Sequence, residues 1–215
     1  MKVATPSNKV LIRALVLIVL IAVAALLMNI SKFELRYYLF PAMLIFAPLI
    51  FESSFKPKNI WKPTKKGVSF FLFALLAVLI LYPPAFFIYW VKLNGLVFII
   101  PEQEALLKAL SKGLLAVLVA AIPEEFFFRG YLQEHVFKHL KRKIFKIITT
   151  KNLVTSALFG LIHAVTFLDI TRATTFFPSL LFGFFAEKSE GKIFYSTLFH
   201  VISNILAFVL WTFIK

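Results

Sequence analysis

The chain alternates long apolar runs with short charged intervals, a block pattern that predicts membrane-crossing helices rather than the one-sided stripe of a soluble helix. The first run covers Val10 to Met28, behind Lys2, Lys9 and Arg13. It has the outline of a secretory leader, with small residues at Ala22 to Ala25, but with the chain starting at Met1 the expectation is a retained helix. A shorter run, Tyr38 to Phe51, contains Pro41 and Pro48 and predicts a kinked or re-entrant segment. The third runs from Gly67 to about Trp90, with Pro83-Pro84 breaking it near its far end. Pro101 opens a fourth helix whose Glu104, Lys108 and Lys112 form one polar stripe at i, i+4, i+8. From Gly113 this helix turns fully apolar and continues past Pro123 to roughly Gln133. The last three spans cover Asn152 to Leu168, about Ala173 to Ala186, and Ile193 to Ile214. Several fall short of the roughly 20 residues a bilayer needs, so tilting or local thinning is expected. The fold expected is all-α: one polytopic transmembrane helical bundle over residues 1–215, with about seven spans (six to eight) around an intramembrane polar cavity.

Composition sharpens this reading. Hydrophobic residues make up 60% and charged residues 16%, against about half and about a quarter in soluble domains. Cysteine is absent, which excludes disulfides, iron–sulfur clusters, thiolate zinc ligation and a cysteine nucleophile. The net charge of +14 invites a nucleic-acid partner, but the basic residues sit at the ends of apolar runs, so none is expected and topology explains the charge. With the N-terminus inside, the N-terminal segment and the intervals Glu52 to Lys66, His135 to Lys151 and Glu187 to Lys192 hold sixteen of the 24 Lys and Arg. The opposite face holds seven, and Arg129 lies within a span. That asymmetry predicts a cytoplasmic N-terminus.

Ionisable groups within a bilayer cost several kcal/mol, so each needs a reason. Eight of the ten acidic residues fall in loops or at span ends, and the exceptions, Glu124 and Glu125, are adjacent in the fourth helix. His135 and His139 lie by the basic loop and are read as solvated, whereas His163 and His200 lie within the fifth and seventh spans. Asn204 follows His200 by four residues and shares its helix face. At about 1.5 Å per residue, Glu124, His163 and His200 stand roughly 14, 16 and 10 Å from the inner helix ends. All can therefore meet in one cavity nearer the inner face. Taken singly, each has a plain alternative. Glu125 and Arg129 suit an i, i+4 ion pair, Asn204 an interhelical hydrogen bond, and an isolated histidine a packing role. As a set they leave Glu124 an unpaired buried acid.

A carboxylate and an imidazole sharing a water molecule suffice for hydrolysis without a covalent enzyme intermediate, with His200 and Asn204 as donors to an oxyanion. Pro123 removes one backbone hydrogen bond beside the glutamates and makes room for water. No cofactor is expected. The alternative is zinc held by Glu124, His163 and His200, although no HExxH is present. Glutamate and histidine within spans also mark proton-coupled transporters, and a non-catalytic immunity or scaffold protein is a third reading.

The motifs themselves are specific. Glu124-Glu125-Phe126-Phe127-Phe128-Arg129 is EExxxR, Phe159 to His163 is FxxxH, and His200 to Asn204 is HxxxN. In this order on separate apolar helices they resemble the CAAX protease and bacteriocin-processing (CPBP) family of intramembrane endopeptidases, over a core of residues 123–204. The resemblance implies that Glu124 and His163 activate water, that His200 and Asn204 form the oxyanion site, and that Glu125, Arg129 and Phe159 support them. It implies a protease of glutamic type ahead of a zinc-dependent one, the metal question staying open, acting on membrane-embedded or lipidated peptides such as prenylated CAAX ends or C-terminal sorting tails. The short chain suggests a prokaryotic cytoplasmic membrane.

Overall fold

The computed structural model describes residues 8–32, 35–144 and 147–215; Lys2 and Lys146, counted above with the inner charges, lie outside them. Among the described residues, seven helical rods succeed one another. They are α1 (Asn8–Ile30), α2 (Arg36–Phe51), α3 (Lys65–Phe87, prolonged by a π-helical stretch Ile88–Leu93) and α4 (Gln103–Val136), then α5 (Thr150–Phe167), α6 (Phe176–Lys188) and α7 (Phe194–Trp211). A two-stranded ribbon, β1 (Lys143–Ile144) against β2 (Ile148–Thr149), interrupts an otherwise helical chain. Four rods, α1, α3, α4 and α7, are long and apolar enough to cross a bilayer by length and composition, and α2 is apolar but shorter. At 13 residues α6 is only about 20 Å long.

Of the two proline expectations, the break in α3 is the one corrected. Pro41 and Pro48 stay inside one continuous α2, because each removes a single bond from a helix whose Leu44 is fully buried against α1 and α4. Pro83-Pro84 do not break α3, which runs through them and changes to π pitch from Ile88. Pro123 has a related effect in α4. The rod is α-helical over Gln103–Ala116, π-helical over Val117–Ala121, briefly α over Ile122–Glu124 and π again over Glu125–Val136. A wider i→i+5 turn just before a proline frees the carbonyl that its ring would strike, and such turns occur often at functional sites.

Burial follows helical spacing. Ala14, Leu17, Ile18 and Ile21 present one face of α1 to Leu44, Phe55 and the Phe126–Phe128 run. A second cluster joins Phe71 of α3 to Phe182 and Phe185 of α6 and Tyr195 and Phe199 of α7. Gly113 brings α4 against α7, where a β-carbon would meet Ile205 at 2.8 Å. The outward faces stay apolar and exposed, as at Leu15 and Val19 on α1 and Phe73 and Leu76 on α3, consistent with a multi-pass membrane protein.

The basic connectors gather at one end of the bundle. Ile193 N donates to Ile60 O at 2.9 Å, Lys66 pairs with Glu190 at 2.9 Å, and Lys151 with Glu134 at 2.7 Å. At the other end Val97 and Lys215 exchange backbone hydrogen bonds of 2.8 and 2.9 Å. Within the basic end, His135 and His139 are half-buried rather than solvated. His135 stacks on Tyr131 and lies 3.3 Å from the Ser54 hydroxyl, because the loop after α2 folds back over α4. Ser54 also donates to Glu52, which is buried where α2 ends. Burial pushes the Glu52 carboxyl up, but the Ser54 side-chain and backbone donors, with Arg13 at 3.9 Å, outweigh it and hold it below the usual carboxylate range.

Candidate active site

The short α-helical turn at Ile122–Glu124, between the two π stretches of α4, carries Glu124 inward, and the second π stretch carries Glu125, Arg129 and Gln133. Glu125, Arg129 and Gln133 are fully buried, and Glu124 is 8% exposed. From α5, His163 brings its Nε2 to 3.9 Å from Glu124 Oε1. From α7, His200 brings its Nε2 to 3.7 Å from Glu124 Oε2. The structure thus gathers the three groups singled out in the sequence around one carboxylate. Asn204, one turn beyond His200 on α7, lines the same cavity. Phe159 packs its ring 4.3 Å from that of His163 and also lies beneath the Arg129 guanidinium.

The hydrogen bonds fix what each histidine can do. His163 Nδ1 lies 2.9 Å from the carbonyl oxygen of Phe159. A carbonyl only accepts, so Nδ1 carries the proton and Nε2 faces Glu124 as an acceptor when the ring is neutral. His200 differs. Its Nδ1 is 3.1 Å from Glu125 Oε1 while its Nε2 faces Glu124, and its ring stacks on Phe182 with centroids 4.3 Å apart. A carboxylate thus lies at each nitrogen of the His200 ring.

Glu125 is held in turn. Ser196, four residues before His200 on α7, donates to Glu125 Oε2, and Arg129 Nε lies 3.6 Å from the same oxygen. Arg129 also donates to Ser179 of α6. Below them Gln133 donates to Gly183 O at 2.9 Å and Asn152 to Leu180 O at 3.0 Å, and Ser156 closes on Asn152 at 3.0 Å. A β-carbon at Gly183 would run into the Asn152 and Gln133 side chains, so a glycine is needed for α4, α5 and α6 to close there. Sequence reasoning missed Ser179, Ser196, Asn152 and Ser156. The available signal was the spacing of Ser196, which shares a helix face with His200.

Glu124, His163 and His200 stand at the floor of a cavity of about 880 Å³. The sequence depths place that floor nearer the basic end. The walls rise the other way, past Met28, Tyr37, Tyr82, Phe167 and Phe208. Below the floor, Phe127, Phe128, Tyr131 and Leu132 are all but fully buried and fill the basic end. Glu124, His163 and His200 are the side chains that would hold a zinc ion here; among the described residues no three His, Asp or Glu side chains stand as a ready metal cage.

Residues 106–206 match the family described as "Type II CAAX prenyl endopeptidase Rce1-like". Neither a curated protein nor a solved structure matches the chain. The matched segment runs from the first half of α4 to α7 and takes in all three motifs.

Proposed function

From the match of residues 106–206 to the Rce1-like family of type II CAAX prenyl endopeptidases, we propose that this chain is an intramembrane endopeptidase of glutamic type. The carrying observation is the approach of one carboxylate, Glu124, to the Nε2 atoms of His163 and His200 on two other helices, at 3.9 and 3.7 Å. Separations just beyond direct hydrogen-bond length suit groups that share a water molecule. His163 Nε2 accepts one proton of that water in a hydrogen bond and aims its oxygen, and Glu124 takes the other proton as general base. The oxygen adds to the peptide carbonyl carbon. His200 Nε2–H and the Asn204 amide donate to the oxyanion that forms, with Glu125 at His200 Nδ1 orienting the ring. Glu124 then gives its proton to the leaving nitrogen as the C–N bond breaks.

The substrate class proposed is a membrane-embedded or lipidated peptide, since the cavity walls are apolar apart from a few polar groups. The test uses proteoliposomes with a panel of prenylated and plain hydrophobic C-terminal peptides. Wild type is expected to cleave at least one of them, with or without a zinc chelator. His163→Ala is expected to lose about 10²–10⁴-fold in turnover, the range for a proton-transfer partner. Loss of activity on chelation alone would replace this reading with a zinc site built from Glu124, His163 and His200.

For topology we propose that the basic end faces the cytoplasm of a prokaryotic cell, the N-terminus included. The cavity mouth then faces away from it, and substrates enter from that side or laterally from lipid. A membrane-impermeant amine reagent applied to intact cells is expected to leave Lys141 and Lys143 unlabelled; labelling from outside would invert the topology.

A further inference from the structure

We infer that Arg172 is a specificity residue that binds a free carboxylate at the C-terminus of an apolar peptide held in the cavity. The proposal rests on the peptidase reading for its substrate, but the contact itself is one of binding. Arg172 stands in the 3₁₀ turn Ile170–Thr175 between α5 and α6 and lines the same cavity as Glu124, His163 and His200. Histidines aside, it is the one cationic side chain among the described lining residues.

Its local commitments are weak. Arg172 Nε lies 3.7 Å from Asp169 Oδ2, and the two side chains are 55% and 44% exposed. Exposed pairs of this kind hold their partners only weakly. Asp169 already accepts from Thr171 N at 2.9 Å and from the Thr171 hydroxyl at 2.7 Å. The guanidinium lies over the Phe167 ring, 5.1 Å from its centroid. That contact steadies the planar group against the cavity wall and leaves its edge, the part that forks onto a carboxylate, without a hydrogen bond among the described residues.

The charge layout gives the bound peptide a direction. At the floor Glu124 and Glu125 face each other across His200, so a further carboxylate is repelled there. At the mouth Arg172 attracts it. From His163 to Phe167 the helix advances about 6 Å, and an extended peptide advances about 3.3 Å per residue. A chain with its carboxylate on Arg172 therefore places a peptide bond on Glu124 only a few residues upstream. The contrary reading makes Arg172 an ordinary charge at a helix end, indifferent to the ligand.

The two readings separate by binding to the Glu124→Gln protein, which avoids turnover. The probe is a fluorescent hydrophobic peptide in detergent, prepared as the free acid and as the C-terminal amide. The free acid is expected to bind about tenfold tighter, the scale of a charged hydrogen-bonded contact. Adding Arg172→Gln should bring the ratio to about one, Arg172→Lys should keep part of it, and Asp169→Asn should widen it. Equal affinities with Arg172 in place, or an unchanged ratio in Arg172→Gln, would overturn the proposal. Should the ratio follow Arg172 while wild type cleaves neither peptide, the peptidase reading fails and the carboxylate site stands. Cleavage of both with no ratio fails the carboxylate site alone.

Discussion

Glu124→Gln is expected to lower turnover by about 10²–10⁴-fold, the contribution of a general base, while leaving the protein's thermal stability near that of wild type. The substitution keeps the shape of the side chain and removes only its ability to take a proton. Its neighbours give little structural reason for failure. Glu124 meets His163 and His200 at 3.9 and 3.7 Å, beyond direct hydrogen-bond range, so no tight buried pair is broken. The readout is initial rate on whichever peptide the wild type cleaves, beside a melting curve of the same preparation. A variant retaining a tenth or more of wild-type turnover would remove Glu124 from the role of base and return the cluster to a packing or transport reading. A variant that melts far below wild type would make Glu124 a structural residue instead.

The same residues show how far the sequence reaches. Glu124, His163 and His200 were legible because an ionisable side chain in an apolar helix is costly enough to need a reason, and three such residues share one protein. The helical order and the approximate limits of the seven rods followed from the apolar blocks alone. Other features lay beyond reach for identifiable reasons. The π pitch of α4 depends on how the chain around Pro123 relaxes under packing, which no residue pattern encodes. Ser179 and Ser196 are ordinary small residues of apolar helices until α4 brings Arg129 and Glu125 against them. Pro83-Pro84 in α3 read as a break because propensity counts the lost bonds and not the packing that offsets them. The direction in which the cavity opens lay beyond reach, because depth along a helix says nothing of which end the aromatic side chains fill. Here Phe127, Tyr131 and their neighbours close the basic end.

Arg129→Ala is expected to cost about 3–5 kcal/mol of stability, the scale for removing one partner of a buried ion pair. At about 2–4 °C per kcal/mol for a chain of this size, the melting temperature should fall by roughly 6–20 °C. The cause is Glu125. It is fully buried, with Arg129 Nε at 3.6 Å supplying the positive charge and His200 Nδ1 lying at 3.1 Å. Without the guanidinium the carboxylate keeps Ser196 and His200 but loses its fixed cation, and Ser179 loses its donor. Turnover should fall with stability, since Glu125 sets the orientation of His200. The double variant Glu125→Gln with Arg129→Ala separates the causes, because removing both charges leaves none uncompensated. It should recover part of the lost stability relative to Arg129→Ala alone, while activity stays low because His200 has lost the carboxylate at its Nδ1. If Arg129→Ala melts like wild type but does not turn over, Arg129 acts on the reacting atoms themselves, and the supporting role assigned to it is wrong.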